Sequence, residues 1–427
     1  SSEAADYSTD MKCSSPDDSF ERPLALSQNE KDMLSLAKSH SKKVIVHINS
    51  DSPMEIDELK NDAGINVDYT GCKNPVEIYI EGGYDPQSAG TDLSKRDTKR
   101  FVTSLIRKTD SHANKTINSV FQLGNQTSLH FNGCVFDGKY NKEENGTVRA
   151  FYPNGTNTSL YLTDCTIKNF NVKKAATTRG GALFINKGNV YIDNVEIHNN
   201  IAGDRGGAII LANGSCQLFM NACTLHENSV KTQWSTAIHT GGKAIMCMNN
   251  TTIWGAAGNN DRNIVVNGDG YFLLANSTII GNENNNYGVL RSPSYPAVLV
   301  NSLFCKGKGT RTIYLDKSPY LSKGYNVYQA ADKNWGATEK DTDYSDINMP
   351  DPTLTDGVYQ WNVSDGKIKH FATEQEVIKV VKEFKVEDNP IGMQFLEWCG
   401  EAAFGKDGRG QIRNKEKMQA GAYDAGL

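Results

Sequence analysis

Two histidines each follow a copy of a repeated segment and two arginines each precede a Gly-Gly pair, and those placements are what could give them chemistry. His198 and His226 each directly follow a copy of an eight-residue pattern. Arg179 and Arg205 each directly precede a Gly-Gly pair. If the copies stack, the histidines fall on successive rungs, where paired imidazoles could bind a metal or a sugar or act as a general base. The plainer reading is an exposed column flanking a turn, shared with Asp137, Lys168, Trp254 and Ile280. Stacked guanidinium groups at Arg179 and Arg205 could clamp uronate carboxylates bidentately. Asp204 beside Arg205, like Asp261 beside Arg262, offers the simpler alternative of a local ion pair in a loop. The expected ligand-contacting set is therefore Arg179, Asp204, Arg205, His198, His226 and Trp254. If the chain is catalytic, His198, His226 and Arg205 are the candidates. Tyr140, Tyr152, Trp234, Trp254, Tyr287, Tyr295, Trp335 and Trp361 fall in or beside loops. There a ring can stack on a sugar face or pack its own loop onto the body.

Composition removes several classes. Lys+Arg 45 against Asp+Glu 50 gives a net charge of -5 over 427 residues, without the basic stripe a nucleic-acid binder needs. No run approaches the roughly 18 apolar residues of a membrane-spanning helix. The nine cysteines are odd in number and form no Cys-x-x-Cys pair, so neither a dense disulfide framework nor a zinc-type ligand spacing is present. No metal and no cofactor is expected. Phosphate loops, nucleophile elbows and dinucleotide fingerprints are missing as well.

The elements that must position these residues are set by the repeat. It reads LHFNGCVF at 129–136, LYLTDCTI at 160–167, VYIDNVEI at 190–197, LFMNACTL at 218–225, MCMNNTTI at 246–253, FLLANSTI at 272–279 and AVLVNSLF at 297–304. The last positions are 31, 30, 28, 28, 26 and 25 residues apart. Positions one, three, six and eight are mostly apolar or small, as in strands with one buried face. Positions four and five favour Asn, Asp, Gly, Thr and Ala, which predicts a bend, since Asn and Asp tolerate left-handed backbone. A second short strand precedes the copies, as in 183–185, 209–211, 237–239 and 264–266. Three short strands per coil predict an all-β, single-stranded, right-handed parallel β-helix with short capping helices. Stacking places Cys134, Cys165, Val195, Cys223, Thr251, Ser277 and Ser302 in one inward column, so the thiols are expected to be buried and free. Asn194, Asn250, Asn276 and Asn301 share position five, and Asn200, Asn228 and Asn282 share a later turn. Both sets predict amide ladders.

The flanks complete the layout. Residues 1–26 are expected to be a flexible tether. The β-helix runs over 27–363, with a capping helix at 27–39. A carboxy-terminal segment at 364–427 carries one amphipathic helix, at 374–385, that closes the far end of the rod. The outward position-two residues His130, Tyr161, Tyr191, Phe219, Cys247, Leu273 and Val298 are too mixed for a calcium groove.

Several motifs resemble a known group. Gly180-Gly181-Ala182-Leu183 and Gly206-Gly207-Ala208-Ile209 resemble the GGA-plus-aliphatic repeat of pectin-lyase-like surface proteins. Gly82-Gly83-Tyr84 with Arg96-Asp97 resembles the GGY…RD element of the bacterial choice-of-anchor proteins. The ending from Asp407-Gly408-Arg409 through Arg413 to Gly421-Ala422-Tyr423-Asp424 resembles that group's D-x-x-G-x-x-R…GAY, with Asp424 where the group usually carries Glu. The resemblance implies an exported protein at the cell or outer-membrane surface, lipid-anchored through a removed signal. Glycosidases of this fold carry paired aspartates, Gly-His-Gly and Arg-x-Lys, and that set is absent here. A long parallel sheet with projecting loops suits a repeating polymer, so the expected function is binding of extracellular polysaccharide by a monomer. The alternatives are a polysaccharide lyase or glycoside hydrolase acting on acidic glycans, and an adhesin or structural rod.

Overall fold

A computed structural model describes residues 19–24, 43–49, 54–56, 65–84, 96–107, 118–344 (apart from 233, 256–264, 268–269, 282–289, 292–294, 296 and 308) and 366–426. The chain winds into a right-handed parallel β-helix of about seven turns. Among the described residues, each coil that carries an octapeptide copy contributes one strand to each of three faces. The first half of the octapeptide builds face one, the second half builds face two, and the preceding short strand builds face three.

Register follows the letters of the repeat. On face one, Leu129, Leu160, Val190, Leu218, Met246, Phe272 and Ala297 are successive partners. On face two the succession is Phe136, Ile167, Ile197, Leu225, Ile253, Ile279 and Phe304. On face three, Leu183, Ile209, Ile238, Val265, Leu290 and Ile313 align. Two of the short strands begin one residue later than expected, at Ile238 and Val265, because the inward partner of Ile209 fixes the register.

The corner between faces one and two is a single left-handed residue. Gly133, Asp164, Asn194, Ala222, Asn250, Asn276 and Asn301 have φ of 71°, 52°, 52°, 53°, 51°, 50° and 47°. One such residue reverses the pleat, which is why position five favours Asn, Asp and Gly. The next residue explains the cysteines. The Sγ of Cys165 and Cys223 donates to the carbonyl two residues back at 3.2 and 3.3 Å, as do Thr251, Ser277 and Ser302 Oγ at 3.0, 2.8 and 3.0 Å. Cysteine, threonine and serine are interchangeable there because each is small and carries one donor. The thiols are free and buried, and burial pushes the Cys165 thiol up to about 12. Ala222 is the one corner residue with a Cβ but no polar side chain to compensate, and left-handed backbone costs an L-residue about 1–2 kcal/mol. Ala222→Asn should therefore raise stability by about 0.5–1 kcal/mol, read as a higher urea midpoint at an unchanged slope.

The ends differ from the expectation. Ser19–Leu24, expected as part of a tether, pairs in parallel with Lys43–Asn49, which pairs with Val76–Tyr84. The cap helix expected at 27–39 lies outside the described residues. Cys72 is disulfide-bonded, whereas the other described cysteines are free. The carboxy-terminal segment has two helices rather than one, α1 (Glu374–Glu383) and α2 (Ile391–Cys399). A capping box of Thr373 and Glu376 starts α1. The start of α2 lacks a side-chain cap and has Gly392 in its first turn, so the sequence carries no helix signal there. That glycine is needed because a Cβ would sit 1.6 Å from the Val381 carbonyl oxygen where the helices touch.

The segment lies along the flank of the rod instead of over its end. Val377, Ile378, Val381, Phe395 and Leu396 share one buried cluster with Phe219, Cys247, Leu273 and Val298. The cause is visible in position two, which changes from His130, Tyr161 and Tyr191 to those four apolar residues. An outward apolar column must be covered, and each buried aliphatic of the helices contributes about 1.5–3 kcal/mol relative to exposure.

Candidate functional site

Face three carries a cluster of arginines around one aspartate and one indole. Gly180 and Gly206 have φ of 67° and 59° and turn the chain into the face-three strands. Arg179 and Arg205 just before them are bridge partners on successive rungs. Asp204 lies 3.6 Å from Arg179 Nε and 3.9 Å from Arg205 Nε. The Trp234 ring takes two guanidinium groups, Arg205 at 5.3 Å and Arg291 at 4.7 Å from its centroid. Arg291 is held in turn by Asp316, through Nε at 2.9 Å and Nη2 at 2.5 Å. Arg149 is buried beneath and donates to the carbonyls of Gly180 and Arg179 at 3.1 and 2.9 Å, which fixes the backbone that presents Arg179.

The electrostatics are strained at this cluster. Burial raises the Asp204 carboxyl against the opposing pull of Arg179 and Arg205. Burial also lowers Arg205, helped by the positive charges of Arg179 and Arg291. Asp204 Oδ1 and Arg205 Nε are buried without a hydrogen-bond partner among the described residues. An anion with two acceptor oxygens would relieve both the repulsion and the unmet donor. His239, on the rung after Ile210, meets the Trp234 edge at 6.5 Å.

The expected site residues thus divide into two groups. Arg179, Asp204 and Arg205 come together on face three. His198, His226 and Trp254 stand on face two. No hydrogen bond or ion pair joins the two groups among the described residues, so the pairing of an arginine clamp with a His198 or His226 base is not assembled. Nor is the histidine column exposed throughout. His198 and His226 stack at 4.8 Å and 4°, and His226 stacks on Trp254 at 4.8 Å and 22°. His226 is only 3 % exposed because Trp254 and Glu196 cover it. Trp254 is itself buried, donates to Glu227 Oε1 at 3.2 Å and shares a cluster with Ile280 and Ile368. It offers no open face to a sugar. The Asp261-Arg262 pair lies outside the described residues.

Sequence reasoning missed Arg291, His239 and Arg149. Their signal exists only in register: Arg291 shares the outward column of Phe184, Ile210 and His239 once face three is aligned. It also missed an aromatic ladder on face one. Tyr79, His130, Tyr161 and Tyr191 stack at 4.0, 4.2 and 4.5 Å within 16° of parallel. Such rings cover one another's faces and turn only edges to solvent, so the ladder stiffens the sheet rather than making a stacking platform.

The chain matches no protein-family profile, no curated protein and no solved structure.

Proposed function

We propose that the protein is an exported, surface-associated β-helix protein that binds an acidic extracellular polysaccharide along face three. The observation that carries this reading is the pair of guanidinium groups on one indole, with Arg179 beside them. Arginine forks match carboxylate geometry, and the indole of Trp234 holds the Arg205 and Arg291 guanidinium groups in place. Arg179 and Arg205 on successive rungs about 4.8 Å apart, with Arg291 three rungs further on, spread the cations along the rod axis, as a polymer requires. The disulfide at Cys72 supports an oxidising, extracytoplasmic setting.

The motifs that resemble pectin-lyase-like, choice-of-anchor proteins support the fold rather than an activity. Arg96 Nε donates to the Gly82 carbonyl at 2.8 Å and its Nη2 to Asn132 Oδ1 at 2.5 Å, so the GGY…RD element is a clasp between rungs. The Asp407, Arg409, Arg413 and Asp424 ending is a buried ion-pair cluster. No helix among the described residues is long and apolar enough to cross a membrane, and surface attachment would rest on the lipid anchor that the resemblance implies.

Binding to an immobilised polyuronate and to a neutral glucan tests the reading. Charged hydrogen bonds are worth about 1.5–3 kcal/mol each, so Arg205→Ala and Arg291→Ala should each weaken polyuronate binding on the order of ten-fold or more. Added salt should weaken the wild type further. Equal affinity of wild type and both variants, or no preference over the neutral polymer, would refute it. The lyase alternative shifts to His239 as the histidine on the same face. It requires unsaturated-product absorbance on polyuronate that disappears in Arg205→Ala.

A further inference from the structure

We propose that Glu196, His198 and His226 form a binding site for a divalent transition ion of the zinc type on face two. The three donor groups lie within 4.8 Å of one another. Glu196 and His198 alternate on one strand and face outward together, and His226 is the partner of His198 on the next rung. Both ring Nε2 atoms converge on one oxygen: Glu196 Oε1 is 2.8 Å from His226 and 3.6 Å from His198. In a tetrahedral site with bonds near 2.0–2.1 Å, donors stand about 3.3 Å apart. The His198 separation is already close to that, and the His226 separation must open by about 0.5 Å.

The surroundings prepare the donors. Asn199 Oδ1 lies 2.5 Å from His198 Nδ1. That bond holds the proton on Nδ1 and leaves the Nε2 lone pair outward, the usual support behind a metal-bound imidazole. His226 is clamped between His198 and Trp254. Its Nε2 faces Glu196 Oε1 at 2.8 Å. The rings are parallel, so one must tilt for both lone pairs to meet. His198, at the solvent edge with a fifth of its side chain exposed, is the one that turns. Two imidazoles with a single carboxylate suit zinc, cobalt or nickel and not the oxygen-rich shells of calcium or magnesium. Lys168, the partner of His198 on the preceding rung, is the charge that opposes a cation.

The test titrates the full chain with zinc(II) by calorimetry and with cobalt(II) by visible absorbance. One saturable equivalent with a tetrahedral or five-coordinate cobalt spectrum is expected. Glu196→Gln and His198→Ala, both at partly exposed positions, should each lower affinity at least ten-fold with unchanged circular dichroism. Lys168→Ala should strengthen binding, and His130→Ala should leave it unchanged. No saturable binding, or binding that survives Glu196→Gln and His198→Ala, overturns the proposal. If either variant misfolds, the strengthening by Lys168→Ala decides, and its absence counts against the site.

Discussion

Replacing Arg413 by methionine should destabilise the protein by about 3–5 kcal/mol, the cost of leaving a buried charge without its partner. Arg413 and Asp424 are both fully buried, 3.6 Å apart. The guanidinium donates to the carbonyls of Lys406, Gln419 and Gly421 at 2.8, 3.1 and 2.7 Å and to Asn250 Oδ1 at 2.9 Å. Burial lowers its pKa to about 10 against the opposing pull of Asp424, so it remains a cation at neutral pH. One side chain thus ties three stretches of the carboxy-terminal segment to a corner of the rod. Asn250 reinforces the tie by donating to the carbonyls of Ala403 and Lys406. In Arg413→Met the segment should detach first, uncovering Phe219, Cys247, Leu273 and Val298. Limited proteolysis after residue 366, together with increased binding of an apolar dye, reports that step. Adding Asp424→Asn to Arg413→Met should recover part of the loss, because the uncompensated charge is gone while the unmet carbonyls remain. An unchanged urea midpoint and cleavage pattern for Arg413→Met would show that the apolar cluster alone holds the segment.

Asn249→Ala is the second large effect, expected at about 2–4 kcal/mol. A chain of side-chain amides climbs the rod beside the corner. Asn221 donates to Asp193 at 3.1 Å, Asn249 to Asn221 at 2.9 Å, Asn276 to Asn249 at 2.9 Å and Asn301 to Asn276 at 2.8 Å. Asn301 also donates to the Gln419 carbonyl at 3.1 Å. Asn249 is fully buried and both gives and receives a bond. Its removal strands an acceptor on Asn221 and a donor on Asn276, each costing about 1–3 kcal/mol when water cannot reach it. Asn194→Ala, at an exposed corner, loses one bond to Asp164 and incurs only the left-handed penalty of about 1–2 kcal/mol. Denaturant unfolding of the two variants should separate them clearly. Similar midpoints would mean that the ladder is no stronger inside the protein than at its surface.

The ladder also shows how far the letters reach. Asn250, Asn276 and Asn301 share position five of the repeat, and all three take the left-handed corner. Yet the ladder runs through position four at Asp193, Asn221 and Asn249, and then moves to position five at Asn276 and Asn301. Asn250 turns away to the carboxy-terminal segment. Periodicity specifies backbone conformation, since that is local. It does not specify which of two adjacent amides faces the next rung, since that depends on what else packs there. Asn200 and Asn228 follow the expectation, with Asn200 Nδ2 donating to Asn228 Oδ1 at 3.1 Å, and Asn282 lies outside the described residues.

The candidate sites divide in the same way. Arg179 and Arg205 were legible because each precedes Gly-Gly in a copy, and translation by one rung makes such residues neighbours. Arg291 was not, because it lies three rungs from Arg205 and meets it only through Trp234, whose loop folds back over the sheet. His198 and His226 were readable as a stack, but not the burial of His226 or the convergence on Glu196.

From the sequence alone came the parallel coil, its corner residues, the inward column of thiols and hydroxyls, and the one-rung pairs, all consequences of a short repeat that stacks on itself. Tertiary structure alone decided which face each pair occupies, where the carboxy-terminal helices lie and which charges are buried. Those outcomes depend on contacts between segments far apart in the chain, and nothing in a local period encodes them.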